Sequence, residues 1–193
     1  MYTKKTLLDL QQGLSDRHDS GVLPASSAVI TYWNRLLNRG QVYCTNYLKL
    51  EKNASVTVTS GVGSMPDDFI NATRIYLDDV EQVQVDKDAV TSQTGQTYWI
   101  TGNHFDGFKL NSVTDGTYTV YYAFRPAEMV NTTDVCIIPD PEAVVAFAYG
   151  MLRKSETDPI EDADASLQEC DKRLRGVASE MNNNNNFTGF SYE

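Results

Sequence analysis

The sequence predicts an α+β fold. Residues 52–124 read as a run of short strands broken by turn residues, and helical patterns flank that run on both sides. Short strands punctuated by Gly, Asn and Asp imply an antiparallel sandwich or small barrel, not a parallel α/β sheet. The chain of 193 residues is long enough for one domain with a real core, or for one domain carrying an insertion.

Residues 3–14 form a short helix candidate, with Leu7, Leu10 and Leu14 on one face. Residues 15–23 are polar and read as a loop. A longer helix follows, with Pro24 suited to its first turn and Ser26 or Ser27 to its cap. Val29, Trp33, Leu36, Leu37, Gly40, Tyr43 and Tyr47 then recur at spacings of three and four, forming one wide apolar stripe that ends near Leu48. In this stripe Trp33 is expected to be a core anchor.

The strand-rich stretch begins near Lys52. Residues 55–59 and 82–86 alternate between apolar and polar positions, and residues 74–77, 97–100, 105–110 and 117–124 add further strands. In the last of these, Tyr118, Val120, Tyr122 and Phe124 share one face, and Thr119 and Tyr121 share the other. Gly102-Asn103, Asp106-Gly107 and Asp115-Gly116 supply turn chemistry, and Asp78-Asp79 marks another turn. Residues 88–96 read as a polar loop. Pro66 keeps Met65-Pro66-Asp67-Asp68-Phe69 out of a central strand. Its aspartates are expected to face solvent in a turn, and the rival reading as an acid/base or metal pair lacks a neighbouring His or Glu.

Residues 127–138 form an extended connector. Asp140-Pro141-Glu142 is a helix start, with an N-cap, a proline at the first position and an acid in the first turn. Asp158-Pro159 repeats that signal. Behind it Ile160, Ala163, Leu167, Cys170, Leu174, Val177 and Met181 follow a heptad spacing, so this helix is expected to bury one narrow seam. Acids lead it and bases follow, in accord with the helix dipole, and Glu169 with Arg173 and Asp171 with Arg175 stand at i,i+4. A run of five Asn then leads to a tail carrying Phe187, Phe190 and Tyr192, which are expected to dock on a partner.

The net charge of −10 argues against a broad grip on DNA phosphates but is compatible with a DNA conduit. Cys44, Cys136 and Cys170 are scattered, show no metal-type spacing, and read as reduced core thiols. Neither His18 nor His104 has a partner at ligand spacing, and no nucleophile elbow, Walker loop, zinc motif or dinucleotide fingerprint appears. No catalytic residue, cofactor or metal site is therefore expected. Residues 1–14 hold no long apolar run, and no apolar stretch reaches membrane-spanning length, so neither a signal peptide nor a transmembrane helix is expected.

Five pieces in order resemble the head-to-tail adaptor (connector, or head completion) proteins of tailed bacteriophages. They are Trp33-Asn34-Arg35-Leu36-Leu37-Asn38 in the second helix, Met65-Pro66-Asp67-Asp68-Phe69, and Tyr98-Trp99-Ile100-Thr101-Gly102-Asn103. The fourth is Tyr118-Thr119-Val120-Tyr121-Tyr122-Ala123-Phe124-Arg125-Pro126, and the fifth is Ile138-Pro139 followed by Ala146-Phe147-Ala148-Tyr149-Gly150. The likeness spans about residues 3–180. It departs at Met65, where the family has Leu, and after Leu110, where a proline is missing.

The resemblance implies a helical bundle made from residues 1–50 and 139–181, an inserted β domain over 51–138, and a tail over 182–193. It also implies a structural virion protein of the neck, made in the bacterial cytoplasm. Such a protein forms a ring, typically a dodecamer, beneath the portal. The ring extends the DNA channel, helps retain packaged DNA without sequence-specific binding, and docks the tail. Ile160, Leu167, Leu174, Val177 and Met181 would form the bundle seam. Another neck or tail-tube protein is the rival structural reading. A carbohydrate-binding β module would use Tyr98, Trp99 and Tyr121 as a stacking platform, although period-two spacing sets Tyr98 and Trp99 on opposite faces.

Overall fold

The computed structural model describes residues 3–18, 21–86, 96–156 and 160–183. Among them lie four helices, α1 (Leu7–His18), α2 (Ser27–Leu48), α3 (Pro141–Ser155) and α4 (Ile160–Asn183). The strands are β1 (Glu51–Val58), β2 (Val62–Ser64), β3 (Phe69–Leu77), β4 (Val80–Glu81), β5 (Val83–Gln84), β6 (Thr97–Asn103), β7 (Gly107–Ser112) and β8 (Gly116–Phe124). The fold is α+β. Described residues up to Lys49 and from Pro126 onward form one compact unit, and Leu50–Arg125 form the other.

In the helical unit α1 starts at Leu7, later than the predicted residue 3, because a local cap sets its first residue, and it runs on to His18, into the stretch at 15–23 expected to be a loop. Thr6 Oγ1 and the Thr6 amide both donate to Asp9 Oδ2 at 2.8 Å, and the Asp9 amide donates back to Thr6 Oγ1 at 3.3 Å. This is a capping-box arrangement, which satisfies amides that have no partner within the helix. Helix α2 starts at Ser27, so Pro24 lies outside it, and Ser26 caps without a side-chain hydrogen bond. The helix ends where Lys49 turns left-handed, at φ 51°.

Only part of the predicted α2 stripe is core. Trp33, Leu36, Leu37 and Gly40 are buried, whereas Val29, Tyr43 and Tyr47 keep 37–39% of their surface exposed. Those three sit at the margins of an arc wider than the groove that receives it.

Helix α3 occupies the middle of this unit and touches α1, α2 and α4. Asp140 caps it by accepting from the Glu142 amide at 3.2 Å, with Pro141 in the first turn, as its sequence predicts. Ala143, Val144, Val145, Ala146 and Ala148 are fully buried. Small residues permit the close approach of its neighbours. A Cβ on Gly40 of α2 would lie 3.1 Å from the Val144 carbonyl oxygen, and one on Gly150 would lie 2.8 Å from Leu167 Cγ.

Helix α4 runs antiparallel to α3, as shown by contacts of Arg153 with Asp162 at one end and Arg173 with Asp140 at the other. Along its heptad positions Ala163, Cys170, Leu174 and Val177 are at most 2% exposed, while Leu167 and Met181 are only half-buried. Glu169 pairs with Arg173 at 2.9 Å. Asp171 instead accepts from Tyr43 Oη at 2.8 Å. Helix α4 runs on through Asn182 and Asn183, past the predicted tail boundary, while the Asp158-Pro159 start, the Ile160 side chain and residues 184–193 with Phe187, Phe190 and Tyr192 lie outside the described residues.

In the β unit, β8 lies between β1 and β3 in a sheet ordered β1-β8-β3-β4, and the second sheet is ordered β2-β7-β6-β5. Two four-stranded sheets suit a sandwich. The alternation predicted for β8 holds, with Tyr118, Val120, Tyr122 and Phe124 buried at 0–3%. Asp78 and Asp79 take φ of 50° and 63°, the double left-handed geometry of a tight hairpin turn between β3 and β4.

One pairing departs from the antiparallel expectation. Strand β5 runs parallel to β6, with Val83 opposite Thr97 and Gln84 opposite Tyr98. The stretch between them provides the dozen or so residues that a parallel return requires. The predicted polar loop at 88–96 falls in that stretch, mostly outside the described residues.

Replacing Leu174, which has no exposed surface, with Ala should lower unfolding free energy by about 2–5 kcal/mol. Leu174→Glu should cost more, since it forces a carboxylate into the same site. Urea unfolding of the full chain measures both, and an unchanged midpoint for Leu174→Glu would contradict the packing described.

Candidate functional site

The sequence motifs of the helical unit converge on the extended connector at 126–138. This segment has no sheet to join, so its backbone groups need other partners. On one side the start of α1 supplies them. Leu7 and Leu8 amides donate to the Asp134 and Thr132 carbonyls at 2.8 and 3.1 Å, and the Cys136 amide donates to the Lys5 carbonyl at 2.9 Å. On the other side α2 supplies them through side chains. Asn38 donates to the Met129 carbonyl at 3.0 Å and accepts from the Met129 amide at 2.8 Å. Gln41, 1% exposed, donates to the Ala127 carbonyl at 3.0 Å and accepts from the Ile137 amide at 3.1 Å. Asn34 accepts from Gln11 of α1 at 2.6 Å. The Trp33–Asn38 segment is thus an anchoring segment. Trp33 fills the core, Asn34 ties α1 to α2, and Asn38 holds the connector.

Charged side chains tie α1, α3 and α4 together. Arg17 donates to both oxygens of Glu169, at 2.8 and 3.0 Å, and lies 3.6 Å from Glu142. Lys5 also pairs with Glu142, and Arg173 bridges Glu169 at 2.9 Å and Asp140 at 3.2 Å. A fork-on-carboxylate pair of this kind is stronger and more directional than a single contact. Arg17 first, with Arg173 adding to it, holds the Glu169 carboxyl at a pKa of about 2. At the far end of α1, His18 Nε2 lies 2.8 Å from Glu156, which Arg153 also holds at 2.6 Å.

In the β unit the Met65–Phe69 turn is more than a solvated loop. Asp68 accepts from Lys52 Nζ at 2.7 Å and from Tyr122 Oη at 3.0 Å, and its carbonyl accepts from the Arg125 amide at 2.8 Å. Burial, followed by the Asp68 carboxylate, pushes the Tyr122 phenol pKa up. Asp67 stays exposed. The aspartates therefore divide their roles, one joining β1 to β8 and the other facing solvent. Asp115 accepts from the Gly61 and Ser60 amides at 2.9 and 3.0 Å, and these bonds lower its pKa.

The carbohydrate reading fails on geometry. Tyr98 is 5% exposed, and the Arg74 guanidinium lies 4.7 Å from the Tyr121 ring centroid, so these aromatics form no open platform. The three cysteines are free and buried. Cys44 of α2 meets Cys170 of α4, and that contact together with burial pushes the Cys44 thiol pKa up. No group of three or more His, Cys, Asp or Glu among the described residues has the arrangement of a metal site. No helix among them is long and apolar enough to cross a membrane.

Leu174 and Val177 of the predicted seam face the helical core, with Leu167 and Met181 half-buried beside them. The sequence reading missed Asn38, Gln41 and Asp68 as anchors. The only local signal was a polar residue at an otherwise apolar helical position, as at Gln41.

A helical unit interrupted by a β insertion, with adaptor-like motifs at its internal joints, fits a structural part of a phage neck. The family model described as SU10 adaptor protein matches residues 5–188, and the chain belongs to this family of phage head-to-tail adaptors. Membership makes it a structural virion protein of the neck, with portal and tail proteins as its neighbours. No curated protein matches the chain.

Two outcomes follow from this geometry. Gln41→Leu removes the hydrogen bonds to the Ala127 carbonyl and from the Ile137 amide and should cost on the order of 2 kcal/mol. Hydrogen exchange at the Ile137 amide should quicken, and unchanged protection there would remove the anchor. Glu169 has a folded pKa near 2, below its ordinary 4.5, so the folded state binds fewer protons between those values. The stability it contributes is complete above about pH 4.5 and drains as pH falls toward 2. Glu169→Gln should flatten that part of the stability–pH curve, and an unaltered slope would contradict the pairing.

Proposed function

We propose that this chain forms a closed ring, a dodecamer, beneath the portal. The ring extends the DNA channel, helps retain packaged DNA and presents a docking surface to the tail. The observation that carries this reading is the adaptor family match over residues 5–188, nearly the whole chain. The net charge of −10 supports it, since an acidic lumen repels the duplex and lets it slide. A ring also requires each subunit to offer two different faces, which a helical unit carrying a separate β unit can supply. Helix α4 belongs near the portal in this reading, with the β unit meeting a neighbouring subunit or the tail. The tail residues Phe187, Phe190 and Tyr192 dock on a partner.

Native mass spectrometry of the full chain, alone and with the portal ring of its own phage, tests the proposal. The expected product is a closed homo-oligomer that co-purifies with portal, and a chain lacking residues 182–193 should assemble less completely. A stable monomer that ignores portal would overturn the ring, and undiminished assembly without the tail would overturn the docking role.

A further inference from the structure

The part of α2 that the core leaves exposed has an order of its own. Ala28, Tyr32, Arg35, Arg39, Val42 and Asn46 follow at spacings of 4-3-4-3-4 and are all exposed, with Tyr32 at 39% and Val42 at 38%. That spacing puts them on one face of the helix, opposite Trp33, Leu37 and Gly40. Near its start a shallow depression of about 340 Å³ is lined by Ser27, Ala28, Thr31, Tyr32 and Arg35. Among the described residues eleven ion-pair contacts occur, and neither Arg35 nor Arg39 takes part in one.

Charge makes this face unusual. Residues 21–50 contain no Asp or Glu, in a chain of net charge −10. The complementary surface lies on α4. Residues 155–171 are rich in Asp and Glu and contain no Lys or Arg. Asp162 and Asp164 keep 66% and 51% of their side-chain surface exposed, and their contacts with Arg153 at 4.0 Å and Lys154 at 3.2 Å leave this end acidic overall.

We infer that the outward face of α2 docks on the acidic start of α4 in a second copy of this chain. The inference rests on the ring reading above and names its contact. Tyr and Arg are the residue types that concentrate binding energy at protein interfaces, because they bury large area with few rotamers and pair directionally. A basic face on one helix and an acidic end on another form a head-to-tail pair, the kind of contact that closes a ring rather than a two-fold dimer. Opposite charges also fix the register and reject like-face encounters.

Charge reversal within the full chain tests the contact. Arg35→Glu with Arg39→Glu should lower the fraction of subunits in rings at least tenfold at fixed concentration, as read by native mass spectrometry. Adding Asp162→Arg and Asp164→Arg to the same chain should restore rings, since both faces then carry reversed charge. Raising salt should weaken the wild-type ring. Thermal melts check that each variant folds, and Arg35→Gln with Arg39→Gln serves if the reversal does not. Rings unaffected by reversal would overturn the α2 assignment and leave the ring reading standing. Loss without rescue would overturn α4 as the partner surface. A wild-type chain that remains monomeric with and without portal would overturn the ring reading and this contact with it.

Discussion

The helical unit depends on satisfying the backbone of a segment that belongs to no helix or sheet. The connector at 126–138 buries Met129, Cys136 and Ile138, and burial removes water from the adjoining peptide groups. Asn38 and Gln41 replace that water from α2, and the α1 start replaces it from the other side. The connector thereby joins α1 to α2 and leads directly into the cap of α3. Three helices are positioned by one extended strip of chain, and hydrophobic contact fills in around it. The capping box at Thr6 and Asp9 serves the same arrangement, since it sets where the amides of Leu7 and Leu8 point.

Helix α3 carries the opposite constraint. It is surrounded, so its residues must be small or apolar on nearly every side, and Ala143, Ala146, Ala148 and Gly150 meet that need. Its neighbours are free to be amphipathic. The charged network of Arg17, Glu142, Glu169 and Arg173 runs around its edge, where the side chains stay partly wet and their desolvation cost is limited.

Local features were legible in the sequence, and contacts between distant residues were not. The Asp140-Pro141 cap, the β8 alternation and the Asp78-Asp79 turn each depend on residues within a few positions of one another, so pattern and structure agree. The α2 stripe misled at Val29, Tyr43 and Tyr47 because apolar spacing defines an arc but not the width of the groove that covers it. Gln41 and Asn38 act on backbone 86 to 96 residues away, and no local pattern marks which polar side chain reaches so far. The strand within 82–86 was legible from its alternation, but its parallel direction was not, because direction is set by the pairing with β6 and not by spacing inside the strand. Asp68 was seen as part of a turn, but its partners Lys52 and Tyr122 come from the first and last strands.

Those first and last strands have a consequence for how the chain can change. Strands β1 and β8 pair antiparallel from Glu51 opposite Ala123 to Val58 opposite Gly116, and Asp68 binds both beside the exit at Arg125. The β unit therefore begins and ends at neighbouring positions, zipped together by its own ladder. That ladder, and not the loops of the insert, fixes the distance between its two ends. A lengthened hairpin or a rebuilt loop far from that zipper leaves the spacing between its two ends as it was. Remodelling far from the zipper keeps the two ends of the insert together, which is the property of a cassette.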